Sequence, residues 1–166
     1  SEMCIRDRLY SEYKNLMYYT ANRILRNSSD AEDVVHQAFL KVIEILDTIS
    51  SPRCHKTRAL LVTITEHKAI DLYREKQRRN VLPLAEEYIG AAPAAEIERL
   101  AERDTLAAAI ASLPPRYRSV LLLRYDCGYS NAEIANILDT TEPNVRKLIQ
   151  RAKEKLSAAL SGMEEP

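Results

Sequence analysis

The stretch that decides the fold is Ser130–Leu156, SNAEIANILDTTEPNVRKLIQRAKEKL. Ser130 followed by Glu133 is a capping box, in which the hydroxyl accepts from the Glu133 amide and the carboxylate reaches back. A short helix follows, with Ile134, Ala135, Ile137 and Leu138 at helical spacing. Asp139-Thr140-Thr141 breaks it. Thr141 is placed to cap a second helix, and Pro143 is tolerated in a first turn, where no amide donor is needed. In that second helix Val145, Leu148, Ile149, Ala152 and Leu156 form an apolar stripe. Arg146, Lys147 and Gln150 stand at i, i+1 and i+4 on the remaining faces, with Arg151, Lys153 and Lys155 beyond them. Two helices with a tight break and a basic second member are what a helix-turn-helix places in a major groove. The plainer reading is a helical hairpin with a solvated basic face.

The rest of the chain supplies the setting. It has 166 residues, 46% of them hydrophobic, and only three glycines. That scarcity argues against loop-rich β architecture and for helices. Net charge is zero, but it is unevenly spread. Residues 51–83 hold eight Lys/Arg against three acids, residues 84–106 six acids against two Arg, and residues 142–155 five Lys/Arg against two acids. Two basic blocks flank an acidic stretch, and local basic patches are what meet phosphates.

Upstream, residues 9–26 read as one helix with Tyr10, Tyr13, Met17, Ala21 and Ile24 on one face. The tyrosines 10, 13, 18 and 19 read as core and rim packing rather than a stacking platform. Ser29-Asp30-Ala31-Glu32 reads as another capping box, opening a helix to about Leu46. Its apolar stripe is Ala31, Val34, Val35, Ala38, Phe39, Val42 and Ile45. Asp30, Glu32 and Asp33 suit the positive end of the helix dipole. They also suit a partner surface, with His36, Gln37, Lys41 and Glu44 on the exposed flank. Residues 47–57 read as a loop. Residues 57–79 read as a third helix, apolar at its start and cationic at its end (Arg74, Lys76, Arg78, Arg79). Residues 80–95, with two prolines and a glycine, read as a linker. Helices are expected over 96–112 and 116–126, separated by Pro114-Pro115. The fold class expected is all-α, with two small helical domains, 9–79 and 96–160, joined by the linker 80–95.

Chemistry is sparse. The three His (36, 55 and 67) are scattered, and no nucleophile–base constellation or phosphate loop is visible, so no catalysis is expected. Cys54-His55 lacks a second ligand pair, so no metal is expected. Three isolated Cys suit a reducing cytoplasm. No apolar run reaches membrane-span length and no secretory signal is visible. The opening SEMCIRDR fits no pattern that follows and reads as foreign to the rest.

Several segments together resemble the bacterial sigma factors of the extracytoplasmic-function (ECF) type. Residues 30–42, DAEDVVHQAFLKV, and Ala69-Ile70-Asp71-x-x-Arg74 resemble motifs of the family's first domain. Residues 113–118, LPPRYR, Glu133-Ile134-Ala135, Val145-Arg146 and residues 151–156, RAKEKL, resemble those of its second. The match spans roughly residues 10–160 in the family's order. Departures are Leu60 for Trp, His67 for Asn, Asp139 for Gly and Pro143-Asn144 for Gly-Thr.

The resemblance implies a subunit that binds core RNA polymerase and directs it to promoters, with no cofactor. It implies polymerase docking through Asp30, Glu32, Asp33, Gln37 and Lys41. It implies minus-ten recognition and melting by the loop 47–57 and by His67, Lys68, Tyr73, Arg74 and Arg78. The minus-thirty-five element falls to Arg146, Lys147, Gln150 and Arg151. An anti-sigma protein is a partner the resemblance allows. The runner-up reading is a dimeric helix-turn-helix regulator that binds its operator without polymerase.

Overall fold

The computed structural model describes residues 2–49, 51–79 and 94–164. Every element among them is helical. The chain divides into two compact units, Ser1–Glu86 and Glu87–Pro166. The linker expected over 80–95 falls, as far as residue 93, outside the described residues.

The first unit is three helices packed pairwise on one another: α1 (Glu2–Leu25), α2 (Ser28–Glu44) and α3 (His55–Arg78). Helix α1 begins seven residues earlier than the apolar spacing suggested, because residues 2–8 continue the helix. Leu9, Met17, Val42, Leu61 and Ile64 are buried completely or nearly so and form the centre of the core. Burial of such side chains is the main favourable term holding the helices together.

Helix α1 ends where Arg26 turns left-handed, at φ 52°. That turn sets Asn27 in extended backbone. The Asn27 side chain, not Ser29, caps α2 by accepting from the Asp30 amide at 3.0 Å. The cap therefore lies at Asn27, two residues before the Ser29 at which a capping box was expected. Asparagine caps as well as serine does, so the first residue with the required backbone takes the role.

The connection between α2 and α3 is partly ordered. A 3-10 turn spans Leu46–Thr48, and α3 opens at His55, inside the expected loop. Thr57 Oγ1 donates to the Ser51 carbonyl at 2.6 Å, and Tyr13 Oη donates to the Pro52 carbonyl at 2.5 Å. Burial, ahead of nearby charges, pushes the Tyr13 phenol above its ordinary range.

In the second unit the helix expected over 96–112 is two helices, α4 (Ala94–Ala101) and α5 (Thr105–Ala111). Asp104 divides them. Its carboxylate accepts from the Leu106 and Ala107 amides at 3.0 and 3.2 Å and starts α5 afresh. Helix α6 (Pro115–Leu121) begins on the second proline of the pair, as a first-turn proline allows. It then widens into a π-turn over Leu122–Asp126, where the Cys127 amide donates to the Leu122 carbonyl at 2.9 Å. Gly128, at φ 80°, ends it.

Helices α7 (Asn131–Ile137) and α8 (Glu142–Glu164) complete the unit, with α8 packed on α5, α6 and α7. The Ser130–Glu133 capping box is present in both directions, with both bonds at 3.1 Å. Ser130→Ala is expected to cost the C-terminal unit about 1 kcal/mol. Urea unfolding followed by circular dichroism measures it; an unchanged midpoint would show that the cap adds nothing.

Candidate nucleic-acid interface

The break between α7 and α8 rests on Asp139, at φ 53°. Aspartate tolerates this left-handed backbone better than most residues. The Thr140 amide donates back to the Ala135 carbonyl at 2.9 Å, and Thr141 Oγ1 accepts from the Asn144 amide at 3.3 Å. These bonds satisfy the ends of both helices and fix the entry of α8. Val145, Ile149 and Ala152 are buried on its inner face.

Arg146, Lys147, Gln150 and Arg151 are all exposed. At 3.6 residues per turn they span one broad face opposite that buried stripe. All four upstream-element candidates therefore share one accessible helix face. Arg146 Nη1 donates to Glu142 Oε1 at 3.4 Å.

Two further cations of α8 lie against aromatic rings. Lys153 sits 5.3 Å from the Tyr125 ring centre, and Lys155 sits 5.3 Å from that of Tyr117. Tyr125 is exposed and also carries Arg124 at 5.9 Å. Nothing in the spacing of Tyr125 marked it, because only the π-turn brings it against α8. The result is a positive rim beside the reading face.

In the N-terminal unit, His67, Arg74 and Arg78 fall on one stripe of α3, at i, i+7 and i+11. Lys68 lies about 100° to one side of the stripe and Tyr73 about 120° to the other. His67, Lys68, Tyr73 and Arg74 are half-buried and Arg78 is exposed. His67 Nε2 faces Asp71 Oδ2 at 3.4 Å. The five minus-ten candidates thus share a helix but not a single face.

The docking candidates divide more sharply. Glu32, Asp33 and Gln37 are exposed on α2. Asp30 is half-buried and forms an ion pair with Lys76 of α3. Lys41 was expected on the exposed flank but is buried, 6% exposed, with its ammonium 3.3 Å from Glu44. The reason is angular: Lys41 follows the core residues Val34 and Ala38 at i+7 and i+3, so its side chain lies along the edge of the core.

The stripe that does face outward is Asp33, Gln37, Leu40 and Glu44, flanked by His36 and Ile43. Leu40 is 63% exposed and Ile43 37%. Neither belongs to the apolar stripe read from the sequence, and that exclusion was the available signal. Apolar side chains set among charges on one exposed face are the usual makings of a protein contact.

Among the described residues no cluster of His, Cys, Asp or Glu is disposed to hold a metal. Among them, too, no helix is long and apolar enough to cross a membrane. Neither Cys54 nor Cys127 is in a disulfide, and both are half-buried.

Known proteins match along most of the chain. The family model for Sigma-70 region 2 matches residues 9–79, and that for Sigma-70, region 4 matches residues 103–156. The chain is similar to the ECF RNA polymerase sigma factor SigL of Mycobacterium tuberculosis. The two are 26% identical over 162 residues, covering 96% of this chain and 91% of SigL. It is also similar to the ECF RNA polymerase sigma factor SigW of Bacillus subtilis, at 28% identity over 89% of this chain and 84% of SigW. Among solved structures, CnrH in complex with the cytosolic domain of CnrY aligns with a TM-score of 0.41. Identity there is 27%, over 95% of this chain and 88% of CnrH. The sigma factor RpoE of Bartonella quintana, in complex with the anti-sigma factor NepR, aligns with a TM-score of 0.43. Identity there is 18%, over 92% of this chain and 94% of RpoE.

Proposed function

The chain belongs to the sigma-70 family as an ECF-type sigma factor, one that binds core RNA polymerase and directs promoter-specific initiation, and from that premise we propose how its residues divide the work. The N-terminal unit docks on polymerase through the outer face of α2. Asp33 and Gln37 make that contact, supported by Glu32, with Asp30 and Lys41 at its border. The same unit opens the minus-ten element with the connection before α3 and with His67, Lys68, Tyr73, Arg74 and Arg78. The C-terminal unit reads the minus-thirty-five element in duplex form with Arg146, Lys147, Gln150 and Arg151. Sigma factors are in general initiation factors rather than enzymes, and the work assigned here is binding and DNA opening, carried out where polymerase is, in the cytoplasm.

The observation that carries this division is the capped α7–turn–α8 unit with four polar or cationic side chains on one exposed face. Charge on such a face supplies affinity through counterion release, and fork-shaped donors supply base choice. In the N-terminal unit, the cationic end of α3 suits phosphate contact better than base stacking. Tyr73 is the single aromatic of α3, and it stands off the charged stripe.

Run-off transcription with purified core polymerase and this protein on a genomic fragment library tests the role and supplies the promoter together. Transcripts from a shared bipartite promoter are expected only when both proteins are present. A regulator of the runner-up kind would instead bind its site alone and leave polymerase unprogrammed. Within this system Arg151→Ala is expected to weaken upstream-element recognition by about 1–3 kcal/mol and to leave co-purification with polymerase unchanged. Loss of polymerase binding in that variant would sink the division of labour.

A further inference from the structure

The first turn of α8 carries an arrangement that the four reading residues do not account for. Arg146 is held from four residues back by Glu142, Nη1 to Oε1 at 3.4 Å. Asn144 Nδ2 donates to Thr140 Oγ1 at 3.1 Å, and its backbone amide is capped by Thr141. Glu142, Asn144 and Arg146 are all exposed, at the end of α8 that a helix-turn-helix turns toward bases. A carboxylate in a first turn suits the helix dipole, but this one stands among phosphates when the helix is docked. As an exposed ion pair it adds little stability.

A guanidinium has five N–H donors in a rigid plane. Glu142 takes one through Nη1, and the remaining donors are left for a base edge. A side chain biased toward one rotamer gives up less freedom when it meets the base. The carboxylate also opposes any approach that offers phosphate and no base acceptor. Both effects widen the gap between the right sequence and every other.

We propose that Glu142 is a positioning residue for Arg146, holding its guanidinium for the paired acceptors of a guanine and so setting base choice at the position Arg146 reads. The proposal rests on the reading of α8 as the upstream-element reader. Charge neutralisation at this position should have opposite effects on two quantities. Discrimination falls because Arg146 is less well held. Sequence-indifferent affinity rises because a negative charge has left the phosphate-facing surface.

The test uses holoenzyme reconstituted from core polymerase and the full chain, with a duplex promoter library randomised over the upstream element. Bound DNA is sequenced for the wild type, Glu142→Gln, Glu142→Asp and Arg146→Ala. Arg146→Ala should erase the preference at one base pair. Glu142→Gln should reduce the preference at that same pair by about threefold to tenfold, a fraction of what one bidentate arginine supplies, and should bind scrambled duplex more tightly. Glu142→Asp keeps the charge at the helix start but shortens the reach; it should lose the same preference without the gain on scrambled DNA. A merely structural role would move affinity for all sequences alike. If Arg146→Ala loses the preference while Glu142→Gln and Glu142→Asp both retain it, the positioning role is overturned and the reading of α8 stands. If Arg146→Ala keeps every preference, that reading fails and the proposal with it.

Discussion

Ile134→Ala is expected to destabilise the C-terminal unit by about 2–5 kcal/mol, the range for emptying a buried aliphatic site. Ile134 is fully buried in α7. That helix runs only from Asn131 to Ile137, far below the length at which a helix persists alone. Its order comes from its caps and its packing on α8, and Ile134 is the largest side chain it contributes completely to the core. Losing that packing frees the turn at Asp139 and with it the entry angle of α8. Upstream-element recognition should therefore fall together with stability. Denaturant unfolding and promoter binding by holoenzyme measure the two. Ile134→Val removes a single methylene and should cost about 0.5–1.5 kcal/mol. An Ile134→Ala protein with a wild-type midpoint would show that α7 is held by something other than its core face.

Leu40→Asp is expected to reduce affinity for core polymerase at least thirtyfold, roughly 2 kcal/mol or more, because it puts an unpaired charge where an apolar side chain would be covered. The fold should be indifferent, since substitutions at exposed positions usually change stability by less than about 0.5 kcal/mol. Leu40 stands between Asp33, Gln37 and Glu44 on the outward stripe of α2, and its exposure has no use within the unit itself. Asp33→Lys reverses a charge on the same stripe and should also weaken docking, with a stronger dependence on salt. Competition between variant and wild-type protein for a limiting amount of core polymerase reads both effects. Equal competition by Leu40→Asp would falsify the assignment of that face and leave α2 as a structural helix.

The all-α class and the helix-turn-helix were legible because each rested on local chemistry. The Ser130–Glu133 box, Thr141 ahead of α8 and the left-handed Asp139 are all decided within four residues of chain. What escaped was decided by alternatives or by tertiary contact. Asn27 and Ser29 were both chemically fit to cap α2, and only the left-handed Arg26 chose between them. Asp104 lay inside a run of helical spacing, where a carboxylate looks like one more exposed acid rather than a cap. The π-turn at Leu122–Asp126 has no period of its own, so Tyr125 could not be placed against Lys153.

The site residues followed the same division. The exposed face of α8 could be read from periodicity, because a helix on the outside of a unit has only one buried stripe. The docking set on α2 could not be fully sorted, because Asp30 and Lys41 sit at the margin of the core. There the partner on another element, Lys76 of α3 for Asp30, decides which way a charge turns. Leu40 and Ile43 were visible as apolar residues off the stripe, yet composition alone assigns no purpose to such residues.

The three-helix core of the first unit has a consequence for how the protein is made. Its three helices α1, α2 and α3 pack on one another within Ser1–Glu86. Synthesis of residues 87–166 at about 5–20 residues per second occupies roughly 4–16 s. Small helical bundles fold within about microseconds to milliseconds. The first unit can therefore reach its native state on the ribosome, before α7 and α8 exist. The nascent chain then exposes little of its apolar core to the rest of the cell, and the outward face of α2 is formed before the helix-turn-helix has been translated.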